Sequence, residues 1–124
     1  MKIAGIWSGH DCSFCILEDG MPVVHAEYER YIREKEPAGD SVQFMLDKYN
    51  ECGDIKYFAT SYPIKKLEGY SESLKQLQEI IKENDGEVFV LGHHQAHAAN
   101  AFFSSNYDEA LILTIDGGGV ETER

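Results

Sequence analysis

The sequence predicts an α/β fold class, with a mixed β-sheet and the element order βββαβαβ. Three observations predict it. Three short strand-like segments open the chain, an Asp-Gly turn joins two of them, and two helical segments then alternate with two further strands. With 124 residues, of which 43% are hydrophobic, the chain is long enough to bury a core.

The first three strands are predicted at Lys2–Trp7, Ser13–Glu18 and Pro22–Tyr28. Asp19-Gly20 lies between the second and the third. This dipeptide readily supplies the positive φ angles of a two-residue hairpin turn. The second and third strands are therefore expected to pair antiparallel.

Helices and strands alternate after a break at Pro37-Ala38-Gly39. Apolar residues recur every three to four positions in both helical segments, as on the buried face of an amphipathic helix. The predicted inward positions are Val42, Met45, Leu46 and Tyr49 in the first helix and Leu74, Leu77, Ile80 and Ile81 in the second. The predicted elements are a helix capped by Asp40 or Ser41 and ending near Cys52, a strand Tyr57–Tyr62, a helix Ser71–Asn84 and a strand Val88–Leu91.

A short helix, His94–Ser105, and a strand, Ala110–Ile115, are predicted next, followed by the glycine-rich turn Asp116-Gly117-Gly118-Gly119. This order is that of a ribonuclease-H-like or actin-like half-domain. We assign residues 1–92 to the first half-domain. Residues 93–124 then form a histidine-bearing helix and the first strand of an incomplete second half.

Composition and charge exclude several classes of partner. The formal net charge of −11 argues against nucleic acid, because that affinity comes mainly from clustered Lys and Arg. No apolar run approaches the roughly 20 residues of a membrane helix, and the first residues lack a signal-peptide core. Cys12 and Cys15 are expected on opposite faces of one strand, which argues against a metal-binding or redox pair. The sequence therefore predicts a cytoplasmic protein with reduced thiols and no membrane contact.

Three histidines lie within five residues where a strand leads into a helix. His93 and His97 are four positions apart, so their imidazoles lie on one helical face, as in many metal sites. The alternative is a polar helix start. Asp116 follows a strongly apolar strand and precedes three glycines, a common place for a metal or phosphate ligand. A simple tight turn is the alternative there.

Two further segments carry candidate site residues. Ser8 and His10 lie in the small polar turn between the first two strands, and His10 has the ordinary chemistry of a general base. The alternative is a turn histidine bonded to its neighbours. Arg33 and Lys35 belong to a run of mixed charge after the third strand. Such runs are usually solvated, although a cation there is also placed to hold an anion.

Four segments together resemble the O-carbamoyltransferase family of nodulation and antibiotic biosynthesis. The more specific ones are His93-His94-Gln95-Ala96-His97-Ala98 and Leu113-Thr114-Ile115-Asp116-Gly117-Gly118-Gly119; the weaker ones are the turn around His10 and the run Glu29–Lys35. The resemblance implies an actin-like domain, similar to that of the tRNA threonylcarbamoyl transferases. It also implies a biosynthetic transferase whose carboxyl-terminal domain makes carbamoyl adenylate from carbamoyl phosphate and ATP. Its actin-like domain then transfers the carbamoyl group to a hydroxyl acceptor.

The resemblance also implies roles for individual residues. The ligands of a divalent metal ion are matched by His93, His97 and Asp116. Iron is the first choice for this metal, with zinc or manganese as alternatives. His10 matches the base that deprotonates the hydroxyl acceptor. Lys35 matches a cation near the carbamoyl adenylate, and Ser8 and the glycines Gly117, Gly118 and Gly119 match substrate or nucleotide contacts.

Family members are much longer than this chain, and the remaining actin-like half and the carboxyl-terminal domain are expected as its partners. We therefore expect the isolated chain to bind metal weakly or not at all, to be inactive alone, and to self-associate through a sheet edge. Three alternatives stay open: a tRNA threonylcarbamoyl transferase, an actin-like ATPase or kinase, and a non-enzymatic partner module. The acceptor and the metal are not determined by the sequence.

Overall fold

The computed structural model describes residues 1–7, 11–35, 42–61, 70–119 and 121. Its elements in chain order are β1 (Lys2–Trp7), β2 (Ser13–Glu18), β3 (Met21–Glu27), α1 (Tyr28–Ile32), α2 (Val42–Cys52), β4 (Tyr57–Ser61), α3 (Tyr70–Glu83), β5 (Glu87–Leu91) and α4 (His93–Phe103). The predicted α/β class and order βββαβαβ are confirmed, with the short helix α1 added in the charged run after β3. The predicted caps Asp40 and Ser41 lie outside the described residues.

The five strands form one mixed sheet in the order β3-β2-β1-β4-β5. β2 pairs antiparallel with β1 and β3, whereas β1, β4 and β5 run parallel. The predicted hairpin is confirmed, because Asp19 and Gly20 have φ angles of 50° and 84° at the turn between β2 and β3. Because β1, β4 and β5 run parallel, their carboxyl ends lie at the same edge of the sheet.

One face of the sheet carries the hydrophobic core. Alternate residues of the central strands point to this face, where α2 and α3 cover them. The largest fully buried side chains are Phe14, Phe44, Phe58, Ile16, Met45, Ile81 and Cys12. The inward positions predicted for the helices are confirmed at Met45, Leu77 and Ile81, and Phe44 adds a buried ring that the helical pattern did not single out.

The opposite face of the sheet is more open. Leu17, Tyr57 and Phe89 are exposed there, and none of the α4 residues is buried. Among the described residues, no helix is both long and apolar enough to span a membrane. None of the three cysteines forms a disulfide, and Cys12 lies just before β2, with its side chain in the core.

The predicted strand Ala110–Ile115 is wrong: these residues adopt neither strand nor helix. Leu111 is fully exposed and Ile115 is 82% exposed. A strand needs a neighbour to accept and donate its backbone hydrogen bonds, and no described strand pairs with this segment. Local apolar character alone therefore does not produce the strand.

Candidate metal centre

A cavity of about 1110 Å³ opens where the parallel strands end. The last residues of β1, β4 and β5, namely Trp7, Ser61 and Leu91, line it together with α4 and the glycine-rich turn. In open α/β sheets, ligands commonly bind outside the carboxyl ends of the strands. The topology therefore brings separate parts of the chain to one concave surface.

Helix α4 starts directly after β5 and carries the histidines. Gly92 is its N-cap, with extended φ and ψ angles of −63° and 147°. His93 and His97 are one turn apart, so their rings lie on one face, with centroids 4.6 Å apart and Nε2 atoms separated by 3.2 Å. Both histidines line the cavity.

Asp116 completes a cluster with these two histidines. Its Oδ2 contacts His93 Nε2 and lies 3.3 Å from His97 Nε2. Its Oδ1 accepts a hydrogen bond of 2.7 Å from the Gly118 N–H. The hydrogen bond with His93 and then that from Gly118 lower the pKa of the Asp116 carboxyl to about 2. The carboxylate is therefore ionised at neutral pH.

Two of the three separations in this cluster fit a divalent metal ion, whereas His93 Nε2 and Asp116 Oδ2 are in direct contact and would have to move apart to bind the same ion. Donor atoms bound about 2.0–2.2 Å from one ion are roughly 3–3.5 Å apart in tetrahedral or octahedral geometry. The separations of 3.2 Å between His93 and His97 and 3.3 Å between His97 and Asp116 lie in that range. Two imidazoles and a carboxylate suit iron(II), zinc or manganese. The structure thus brings the three predicted ligand residues together.

The glycine-rich turn packs against the same histidines. A Cβ at Gly119 would overlap the His93 ring, so only glycine fits there. Gly118 has a φ of +144°, which side-chain-bearing residues rarely adopt. Gly117, Gly118 and Gly119 all line the cavity, as expected for a turn that approaches a ligand.

Two residues of the cluster are not among those predicted from the sequence, His94 and Glu121. The Glu121 carboxylate accepts a hydrogen bond of 2.7 Å from the His94 backbone N–H and lies 2.6 Å from His94 Nδ1. The hydrogen bond from this N–H is the main cause of the lowered pKa of Glu121. The adjacent pair His93-His94 is a sequence feature that points to His94. No local pattern marks Glu121, which is 27 positions away from His94.

The other predicted site residues do not join this cluster in the described part of the chain. Ser8 and His10 lie outside the described residues. Lys35 is exposed after α1 and is not among the residues that line the cavity. Cys15 does line it, and burial raises the pKa of its thiol, so this side chain is neutral at physiological pH.

Proteins similar to this chain include three longer ones. An uncharacterized protein of Synechocystis sp. is 63% identical over 148 residues, covering 89% of this chain and 24% of that protein. An uncharacterized protein of Methanocaldococcus jannaschii is 28% identical over 120 residues, covering 94% and 22%. The nodulation protein NolNO of Sinorhizobium fredii is 29% identical over 134 residues, covering 89% and 20%.

The similarity to NolNO agrees with the resemblance to nodulation proteins, and the other two relatives are uncharacterized. This chain spans between a fifth and a quarter of the length of these relatives. No protein-family profile matches the chain, and no solved structure matches it significantly.

Proposed function

We propose that this chain forms the metal-binding part of an O-carbamoyltransferase. The reaction moves a carbamoyl group from carbamoyl adenylate, made from carbamoyl phosphate and ATP, to the hydroxyl of a small acceptor. The observation that carries the proposal is the cluster of His93, His97 and Asp116 at the cavity. The similarity to NolNO supports the choice of reaction.

The chain's own residues bind and orient the reactants in this proposal. A divalent metal ion, with iron as the first choice, would be held by His93, His97 and Asp116. When bound, this ion acts as a Lewis acid on the carbonyl or phosphoryl oxygens. The glycine turn Gly117–Gly119 lines the same cavity without side chains, so its backbone can approach a nucleotide phosphate closely. We assign phosphate binding to this turn, with Ser8 as a further nucleotide contact.

The proton and charge roles follow from side-chain chemistry. We assign to His10 the removal of the acceptor's hydroxyl proton, since a neutral imidazole accepts protons near neutral pH. We assign to Lys35 a positive charge near the adenylate, which requires the segment after α1 to approach the cavity when substrate binds. In this proposal the remaining length of the protein supplies adenylate formation and the rest of the cleft.

Because the isolated chain is expected to bind metal weakly or not at all, the metal assignment is tested by titrating iron(II), without oxygen, or zinc into the longer protein that contains this chain. We expect saturable binding at one site, weakened more than about 100-fold by His97→Ala, because loss of a direct ligand exceeds the 10–100-fold cost of losing an outer partner. His25→Ala is the matched control, since His25 is an exposed histidine on β3. Equal binding by the His97 variant, or no saturable binding by the wild type, would contradict the metal assignment.

The reaction itself is tested separately with labelled carbamoyl phosphate, ATP and a panel of hydroxyl acceptors. The longer protein that contains this chain is expected to transfer the label, and the His10→Ala variant is expected to lose transfer while still binding nucleotide. This chain alone is expected to give no turnover. Transfer by the isolated chain, or full transfer by the His10 variant, counts against the assigned roles.

A further inference from the structure

The turn that carries Asp116 meets α4 through side-chain contacts and not through strand pairing. The segment before it, residues 110–115, pairs with no described strand and is largely exposed. No sheet hydrogen bond therefore places Asp116 beside His93. A different contact must fix the turn, because a ligand triad requires each donor within a few tenths of an ångström.

Glu121 makes that contact. Its Oε1 accepts a hydrogen bond of 2.7 Å from the His94 N–H, which lies in the first turn of α4 and has no partner within the helix. The same oxygen lies 2.6 Å from His94 Nδ1. A carboxylate at a helix N-terminus is also favoured by the helix dipole. One side chain thus ties the chain after the glycine turn to the start of the histidine helix.

The packing around Glu121 is close. A Cβ placed on Gly92 would overlap the Glu121 side chain and approach its carbonyl oxygen to 3.1 Å. The Gly119 backbone lies against the His93 ring in the same way. Two glycines therefore allow the two segments to approach closely, Gly92 at the start of α4 and Gly119 in the turn.

His94 links Glu121 to Asp116. When Nδ1–H is donated to Glu121, the Nε2 of the neutral ring carries no proton and does not donate to Asp116. This Nε2 lies 3.5 Å from Asp116 Oδ1, the oxygen that does not contact His93, as a packing contact. Metal-binding sites commonly use such outer partners to orient their ligands. The order of contacts, from Glu121 to His94 to Asp116, ends at a proposed ligand.

We propose that Glu121 is a positioning residue of the metal centre, which fastens the Asp116–Gly119 turn to α4 through His94. The inference rests on the metal-binding part of the proposed function. It also makes a prediction for the metal-free protein, because the contacts between Glu121 and His94 involve only atoms of the chain.

The test compares Glu121→Ala, Glu121→Gln and the control Glu79→Ala, which removes an exposed glutamate from α3 on the core side of the sheet. The first measurement uses the metal-free protein. In Glu121→Ala we expect faster exchange of the His94 amide proton and a changed ¹⁵N tautomer signature of the His94 ring, with the thermal midpoint unchanged. Glu121→Gln retains a side-chain oxygen and should keep the amide protected.

The second measurement is the zinc or cobalt(II) affinity of the longer protein that contains this chain, with the same substitutions. Loss of an outer partner commonly weakens metal binding by roughly 10–100-fold, which is the loss expected for Glu121→Ala. Gly92→Ala should weaken binding in the same direction, because its Cβ displaces Glu121 while leaving the carboxylate in the chain. The Glu79 variant should bind as the wild type does.

Unchanged His94 exchange and tautomer signals in Glu121→Ala would overturn the positioning role, as would metal affinity equal to that of the wild type. Absence of metal binding by the wild type contradicts the proposed function instead. In that case the two signals of the metal-free protein still decide whether Glu121 fastens the turn.

Discussion

The two faces of the sheet are held by different forces. On the core face, α2 and α3 bury apolar side chains, and aromatic rings such as Tyr49 and Phe58 pack with centroids 5.7 Å apart. On the other face, α4 has no buried residue and meets the glycine turn through polar contacts of His93 and His94 with Asp116 and Glu121.

This difference means that one face determines the stability of the fold and the other carries the candidate metal centre. Burial of apolar surface stabilises the fold by about 25 cal/mol per Å², whereas exposed ion pairs contribute little. The core face can therefore keep the sheet folded while the site face changes its contacts. Substitutions on the two faces should consequently affect different measurements.

The largest expected effect is on the core face. Phe58 is 1% exposed, so Phe58→Ala should lower the free energy of unfolding by about 3–5 kcal/mol, through lost burial and the cavity left behind. Urea denaturation followed by circular dichroism measures this. Phe103→Ala is the matched control, because Phe103 on α4 is 82% exposed and should change stability by less than about 0.5 kcal/mol. Similar losses in both variants would show that the site face also supports the fold.

The second effect is the titration of the Asp116 carboxyl on the face of the sheet that carries α4. Because the pKa of Asp116 is lowered to about 2, its interaction with His93 is present above the unfolded-state pKa and is lost as the pH falls through the folded value. In the metal-free protein, the carboxyl ¹³C signal of Asp116 should titrate near pH 2. His93→Ala should move this midpoint upward, towards the ordinary value of about 3.9, while His25→Ala should not. A wild-type midpoint at the ordinary value would contradict this contact between Asp116 and His93.

The smallest expected effect concerns the apolar segment 110–115. Leu113 is 80% exposed, so Leu113→Ser should change the free energy of unfolding by less than about 0.5 kcal/mol. Exposed apolar segments favour association, so sedimentation of the wild type should show more self-association than the variant. A large loss of stability in Leu113→Ser would mean that this segment packs on the fold in solution.

Local pattern was enough to predict most of the fold. The Asp19-Gly20 turn fixed the hairpin because few other dipeptides readily supply two positive φ angles. Helical periodicity placed Leu77 and Ile81 inward, because the spacing of a helix puts such residues on one face. The histidines His93 and His97 were likewise predictable as neighbours, since four positions make one turn.

Only the tertiary structure decided how distant segments meet. The segment 110–115 has the apolar character of a strand, yet it forms none, because pairing depends on a neighbour that local sequence does not specify. The contact of Glu121 with His94 joins positions 27 apart through a glycine turn, and no periodicity encodes such a distance. The sequence by itself determined most of the elements and the paired histidines, because these depend on local backbone geometry. Chain folding decided which carboxylates reach them.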